Sequence, residues 1–199
     1  MKSPVNKRII LASNSPRRRE LLTMLIPDFE IAPVRDIDES FPPETPPEEV
    51  APYVSYKKAC GYSDLVNESS LLITADTVVI VEGKILGKPH SFDEAVTMLK
   101  HLSGRSHKVV TGVTLTTDKM TKTFSCVTKV HFDNVSDDEI LQYVEEYEPY
   151  DKAGAYGIQE WIGCRGIKSV EGCFYNVMGL PVNKLYNELK ALHNERTDS

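Results

Sequence analysis

The sequence lacks the long apolar run that a membrane-spanning helix requires. Such a helix needs roughly 18 consecutive apolar residues, and no run in the 199-residue chain approaches that length. The basic segment of residues 1–8 precedes an apolar run that is too short for the core of a signal peptide. We therefore expect a cytoplasmic protein that does not associate with membranes.

Cysteine is scarce, and its spacing argues against two further classes of protein. Cys60, Cys126, Cys164 and Cys173 form no CxxC pair, and no histidine lies at an offset typical of a zinc ligand. A disulfide framework and a zinc site are therefore not expected. We expect these residues to be buried, reduced thiols without a chemical role.

The chain has fewer basic than acidic residues, 23 against 29, which gives a formal net charge of -6. Nucleic-acid binding depends chiefly on neutralisation of phosphates by lysine and arginine, so this balance argues against it. The protein could still bind a small anionic ligand in spite of its negative net charge, provided that basic side chains cluster at one place. The length favours one domain over residues 1–199, with a frayed tail at 194–199.

The stretch from residue 8 to 25 joins a short apolar run to a basic turn. Residues 9–12 are Ile-Ile-Leu-Ala, which predicts a strand, and residues 13–19 are Ser-Asn-Ser-Pro-Arg-Arg-Arg. Ser15 is a favourable N-cap and Pro16 suits the first helical position, so a helix with outward-pointing backbone donors should begin here. Arginines in a first helical turn oppose the helix dipole, which indicates a negative ligand, phosphate fitting best. A solvated basic patch is the alternative that this stretch leaves open.

Asp76 is the least ordinary acidic residue in the chain. It follows the apolar run 71–75, which is typical of a buried strand, and precedes a second run at 78–81. We expect the strand to stop at Asp76 and to resume after Thr77. A carboxylate in such a place is costly unless it is paired, hydrogen-bonded or bound to a metal. A hairpin turn at residues 82–83 could then bring Lys88 next to Asp76.

The remaining elements follow from periodicity and from capping signals. Ser91 with Glu94 and Ser136 with Glu139 have the spacing of capping boxes, and we interpret the helices that they open as scaffold. Prolines exclude regular structure before about residue 48, where a helix with exposed lysines begins and Pro52 fits its first turn. The predicted elements are strands at 29–32, 108–117, 121–132 and 167–170, and helices at 94–102, from 136 to near 149, and at 182–192.

The loop at residues 150–159 is rich in small residues. Its glycines would let the backbone approach a ligand closely. Lys152 could contact that ligand or could form a structural pair with Asp151.

Seven stretches, in their order and spacing from about residue 8 to 192, resemble the Maf family of nucleoside triphosphate pyrophosphatases. Each motif alone is weak, whereas the ordered set is specific. They are LASNSPRR at 11–18, DIDE at 36–39, KA at 58–59, ADTVV at 75–79, GKP at 87–89, DKAGAYGIQ at 151–159 and NVMGLP at 176–181.

The resemblance implies a fold, an assembly and a reaction. The fold would be α/β, with a long twisted mixed β-sheet and helices that form two lobes around a cleft, as in the inosine triphosphate pyrophosphatases. The protein would be a homodimer that uses Mg²⁺ or Mn²⁺ to hydrolyse nucleoside triphosphates to the monophosphate and pyrophosphate. The ADT and DKAGAYGIQ motifs look like the subgroup that acts on dTTP and UTP rather than on 7-methyl-GTP, and modified pyrimidine nucleotides are further expected substrates.

The resemblance also implies which residues form the site. Asp76 and Glu39 would hold the metal, and a small alignment gap leaves Asp38 as an alternative to Glu39. The catalytic residues would be Asp76, Lys88, Gln159 and Arg18. The substrate-binding residues would be Ser13, Arg17, Arg18, Lys58, Thr77, Lys88, Lys152 and Gln159.

Two other functions are compatible with the same residues. One is a nucleotide-binding regulator of cell division without catalysis, and the other is a phosphatase that acts on small phosphate esters. Each charged residue taken alone could instead form an ordinary surface salt bridge, worth at most about 1 kcal/mol.

Overall fold

The structure is a computed structural model that describes residues 7–194. The described chain divides into two compact units. The first unit contains residues 7–76, 111–126 and 179–194, and the second contains residues 77–110 and 127–178. Most of the tail expected at 194–199 lies outside the described residues, and the single-domain assignment stays a prediction. Every helix in the described part of the chain is too short or too polar to cross a lipid bilayer.

A seven-stranded mixed sheet forms the framework of the fold, in the order β2-β1-β3-β5-β6-β7 with β4 paired to β3. Strand β1 pairs in parallel with both β2 and β3, whereas β3–β4 and β6–β7 are antiparallel. The expected mixed α/β fold is thus confirmed. The strands are β1 (Arg8–Ala12), β2 (Glu30–Ile31), β3 (Ser70–Val81), β4 (Lys84–Leu86), β5 (Ser106–Thr116), β6 (Thr121–Phe132) and β7 (Ile167–Glu171).

The helices occupy the positions that the sequence predicts, with two exceptions. Neither α5 nor α6 was predicted, because each is only a turn or two long and lies between irregular segments. The helices are α1 (Pro16–Leu25), α2 (Pro47–Gly61), α3 (Phe92–Leu102), α4 (Asp137–Tyr147), α5 (Trp161–Gly166), α6 (Phe174–Met178) and α7 (Val182–Asn194).

Strand β3 is continuous, so the expected interruption at Asp76 and Thr77 is wrong. Both residues are half-buried within the strand, between fully buried apolar neighbours. The pairing with β1 ends at Thr74, opposite Ala12. Asp76 therefore lies just beyond the carboxyl end of β1, the edge of a parallel sheet at which ligands commonly bind.

Helix α2 departs from expectation at Pro52, which lies inside the helix rather than in its first turn. Proline removes a backbone donor there. A side chain on Gly112 of β5 would place its Cβ 2.3 Å from the Pro52 nitrogen, so strand and helix backbones are in direct contact. This packing fixes α2 on the sheet of the first unit.

The second unit is built around a core shared by β3, α3, β5, β6 and α4. Helix α4 has the full predicted capping box between Ser136 and Glu139. Helix α3 has only half of it, because the Ser91 hydroxyl accepts from the Glu94 N–H while the Glu94 carboxylate accepts from His90 instead. The predicted hairpin between β3 and β4 is present, with positive φ at both Glu82 (49°) and Gly83 (76°).

The four cysteines are free thiols, as expected, but their predicted burial is wrong. Cys60 and Cys164 are exposed, and Cys126 and Cys173 are half-buried. Cys60 and Cys164 lie on helices α2 and α5, on the side that faces water.

Candidate functional site

The turn between β1 and α1 forms one edge of the candidate site in the first unit. Ser15 caps the helix by accepting from the Arg18 N–H at 3.4 Å, as the sequence predicts. The Ser13 hydroxyl accepts from the Ser15 N–H at 3.2 Å, and the Ser13 carbonyl accepts from the Arg19 side chain. The backbone N–H groups of Ser15 and Arg18, which the sequence predicts to be available to a ligand, therefore donate within the turn itself.

Arg18 connects three segments of the first unit. Its Nε donates to the Gly179 carbonyl and its Nη1 to the Ala75 carbonyl, each at 2.9 Å. These bonds use at least two of the five N–H donors of the guanidinium group. Arg18 thus fixes the backbone directly before Asp76, in addition to carrying positive charge beside it.

Burial and neighbouring charges both affect the guanidinium group of Arg18. Burial lowers the pKa of Arg18 from its ordinary value, the negative charge of Asp76 opposes this shift, and the positive charge of Arg17 adds to it. Arginine stays protonated in proteins in spite of such a shift. The lowered pKa therefore reflects the burial of a guanidinium group that keeps its charge, and such a group is a suitable partner for a phosphate.

Lys58 and Asp76 form an ion pair at 2.7 Å, and the same ammonium group lies 3.0 Å from Glu39. Lys58 reaches these carboxylates from helix α2, and its side chain is only 14% exposed. The interpretation of Lys58 as a solvated surface lysine is therefore wrong. One cationic group joins two carboxylates that lie far apart in sequence.

The alternatives Asp38 and Glu39 have different partners. The Asp38 carboxylate accepts from Lys57 at 2.6 Å and from both the amide and the hydroxyl of Ser40. These hydrogen bonds hold the pKa of Asp38 well below its usual range. Glu39 instead contacts Lys58, which also contacts Asp76. This geometry favours Glu39 as the second acidic residue of the site.

The donor set fits a magnesium or manganese ion that is shared with phosphates. Both ions prefer carboxylate oxygens, and Mg²⁺ is often held by only one or two carboxylates together with substrate phosphates. Asp76 and Glu39 supply such a pair, and both approach one centre of positive charge at Lys58. No cluster of three or more His, Cys, Asp or Glu residues suited to a metal occurs in the described chain. If Asp76 and Glu39 held such a cation, its remaining ligands would come from water or from substrate.

The other predicted site residues belong to the second unit. Thr77 is half-buried on β3, whereas Lys88 and Gln159 are exposed on loops. The Gly87 carbonyl accepts from the Gly154 N–H at 2.9 Å, which connects the loop that carries Lys88 to the loop that carries Gln159. The expected proximity of Asp76 and Lys88 stays a prediction.

Lys152 is buried between two carboxylates of the second unit. Its Nζ lies 2.8 Å from Asp151 and 3.1 Å from Glu160. The structural pair with Asp151 is therefore present. Glu160 was not among the predicted site residues, and Tyr143, which donates to Glu160 from helix α4, was assigned to the scaffold.

Residues 8–192 match the family described as Maf-like protein, and the chain belongs to this family. The family that the seven motifs predict is thereby confirmed.

Individual relatives resemble the chain over almost its full length. A protein named dTTP/UTP pyrophosphatase from Bacteroides thetaiotaomicron is 52% identical over 185 residues, covering 93% of this chain and 96% of the relative. A protein of the same name from Porphyromonas gingivalis is 55% identical over 185 residues, covering 92% of this chain and 93% of the relative.

Proposed function

We propose that this chain hydrolyses the α–β phosphoanhydride bond of nucleoside triphosphates, with dTTP and UTP as substrates, and releases the monophosphate and pyrophosphate. The near full-length similarity to relatives named dTTP/UTP pyrophosphatase carries the proposal. The pair of carboxylates on Lys58, beside the buried charge of Arg18, supports it independently. Phosphoryl chemistry of this kind depends on neutralised phosphate charge and a well-placed water.

The basic and polar residues of both units are proposed to hold the triphosphate. In the first unit these are Ser13, Arg17, Arg18 and Lys58, and in the second unit Thr77, Lys88, Lys152 and Gln159. The guanidinium group of Arg18, beside Asp76, is the main support, because its planar donors match phosphate oxygens. The support for phosphate binding is weakest for Lys152, because two carboxylates already neutralise its charge.

Asp76 and Glu39 are proposed to hold the divalent cation. When bound, Mg²⁺ or Mn²⁺ would place positive charge against the phosphate oxygens and make water more acidic. Lys58 contacts both carboxylates, and an ammonium group repels a divalent cation. Lys58 would therefore exchange these carboxylates for triphosphate oxygens when substrate and cation enter together.

Asp76 is proposed to orient the attacking water and to accept its proton. Its backbone lies within strand β3, and Arg18 donates to the carbonyl of the preceding residue. The backbone that carries the carboxylate is thus held before substrate binds. Lys88, Gln159 and Arg18 would stabilise the negative charge that develops during transfer.

Product analysis tests the proposal directly. The purified protein is incubated with ordinary and modified nucleoside triphosphates in Mg²⁺ or Mn²⁺, and pyrophosphate and orthophosphate are measured separately. We expect pyrophosphate, released from dTTP and UTP faster than from any purine nucleotide. Orthophosphate release would identify a phosphatase, and saturable binding without turnover would identify a regulator. Faster hydrolysis of purine nucleotides would contradict the base preference.

The assembly and location are further parts of the proposal. We expect a cytoplasmic homodimer that does not bind nucleic acid, in keeping with the net charge of -6. Light scattering should give twice the mass of the 22.3 kDa chain, and a mass equal to one chain would contradict the dimer.

A further inference from the structure

A buried network connects helix α4 to the loop formed by residues 152–159. The Tyr143 hydroxyl donates to the Glu160 carboxylate and accepts from the Gly157 N–H at 3.2 Å. The Glu160 carboxylate also pairs with Lys152 at 3.1 Å. One hydroxyl and one carboxylate therefore hold the loop at both of its ends.

The contact between Glu160 and Gly157 is close. A Cβ on Gly157 would lie 2.7–2.9 Å from the three carboxyl atoms of Glu160, so the carboxylate lies directly against the backbone. The Glu160 N–H also donates to the Gly157 carbonyl at 3.0 Å. Gln159 lies between these two residues, and its backbone is held on either side.

The loop needs this support because part of its backbone is strained. Ala155 is fully buried and has a φ of 61°, next to Gly154 with a φ of 71°. A left-handed conformation at a residue other than glycine costs roughly 1 kcal/mol or more and persists only where its surroundings impose it. Removal of the buried partners should therefore let the loop relax away from this conformation.

We propose that Glu160 and Tyr143 are positioning residues, which hold the loop of residues 152–159 so that Gln159 is presented to the nucleotide. This inference rests on the function proposed above. Lys152 belongs to the same network, where it serves as the buried counter-charge of Glu160. Slight misplacement of a positioned group can lower the rate by as much as about a hundredfold.

Tyr143→Phe tests the network with the smallest change. It removes the hydroxyl and keeps the ring, which is stacked on Tyr147 at 4.9 Å between ring centroids. We expect kcat for dTTP to fall roughly tenfold or more while KM changes little, because the basic residues of other segments dominate ground-state binding. Tyr147→Phe, which removes the hydroxyl of the stacked ring, is the matched control and should keep the wild-type kcat.

A second set of variants tests whether Glu160 acts through its contact with Gly157. Gly157→Ala should displace the Glu160 carboxylate and lower kcat, as should Glu160→Ala. If the two residues act through one contact, the double variant should be no slower than Glu160→Ala alone. If the loss of kcat in the double variant equals the product of the two single losses, the proposal is overturned.

Amide hydrogen exchange distinguishes a failure of the inference from a failure of the proposed function. In Tyr143→Phe without nucleotide, the amides of residues 157–159 should exchange faster than in the wild-type protein. Unchanged exchange and an unchanged kcat would overturn the positioning role. If the wild-type protein releases no pyrophosphate, the proposed function fails, and exchange alone still decides whether the network holds the loop.

Discussion

Lys58 Nζ lies 2.7 Å from Asp76 Oδ1, and the two side chains are only 14% and 15% exposed. The same nitrogen lies 3.0 Å from Glu39. One ammonium group therefore compensates two carboxylates, and water screens the pair with Asp76 less than the pair with Glu39, whose side chain is 54% exposed.

Asp76→Asn should keep the fold and lower kcat by about a hundredfold or more, because the amide neither accepts a proton nor holds a cation as well as the carboxylate. Pyrophosphate release from dTTP measures the loss, and circular dichroism checks the fold. Asp64→Asn, at an exposed carboxylate paired with Arg35, is the control. Wild-type turnover in Asp76→Asn would refute the role of Asp76.

Glu39→Gln should raise the concentration of Mg²⁺ or Mn²⁺ needed for half-maximal activity by roughly tenfold, whereas Asp38→Asn should not. The two residues are adjacent, but only Glu39 shares Lys58 with Asp76. A titration of activity against the cation compares the two variants. A larger effect at Asp38 would assign the second carboxylate to that position.

Lys58→Met should strengthen cation binding and weaken nucleotide binding. Without the competing ammonium group, the protein alone should bind Mn²⁺ more tightly, because Asp76 and Glu39 lose the positive charge that they now share. The KM for dTTP should rise, since a proposed phosphate contact is lost. Calorimetry with Mn²⁺ in the absence of nucleotide measures the first effect, and weaker binding there would contradict the competition.

Arg18→Lys should destabilise the protein by about 2 kcal/mol, even though the charge is kept. A lysine cannot make both the bond to Gly179 and the bond to Ala75, and hydrogen bonds from charged donors contribute about 1.5–3 kcal/mol each. Urea unfolding gives the change in the free energy of unfolding. Arg19→Lys, which alters a single 3.3 Å bond to Ser13, should cost less.

His107→Gln should weaken the dependence of stability on pH. Burial lowers the pKa of His107 from 6.5 to about 4, and its Nε2 lies 2.7 Å from the Tyr156 hydroxyl. Between these two values the unfolded chain binds a proton that the folded protein does not. The free energy of unfolding should therefore fall as the pH drops from about 6.5 to 4, by up to about 3 kcal/mol.

Urea unfolding at pH 7 and pH 5 measures this effect, and the difference between the two should shrink in His107→Gln. His90→Gln, at an exposed position, should keep the wild-type difference. An equal loss in both variants would show that burial of His107 is not the cause.

Local signals predicted the elements that depend on local contacts. Ser15 and Pro16 fixed the start of α1, and Ser136 with Glu139 fixed the start of α4, because each cap is completed within four residues. Strand β3 was different. A carboxylate in an apolar run predicts a break, whereas in the structure Lys58 from helix α2 stabilises Asp76 inside the strand.

The contacts that define the candidate site join residues far apart in sequence, so the sequence alone did not predict which side chains pair with each other. The motifs identified Lys58, Asp76 and Glu39 through the family resemblance, but the helical pattern around Lys58 was that of an exposed surface. The role of Glu160 could not be predicted from the sequence, because its partner Tyr143 lies 17 residues earlier, on helix α4. The pairing of such residues depends on the packed fold, which no spacing rule encodes.

The exposed thiols give each compact unit a natural attachment point. Cys60 lies in the first unit and Cys164 in the second, and both are accessible to solvent. With the other three cysteines replaced by serine, an environment-sensitive dye could be coupled to either of these native positions. Its fluorescence would then follow nucleotide binding within the labelled unit without the introduction of a new cysteine.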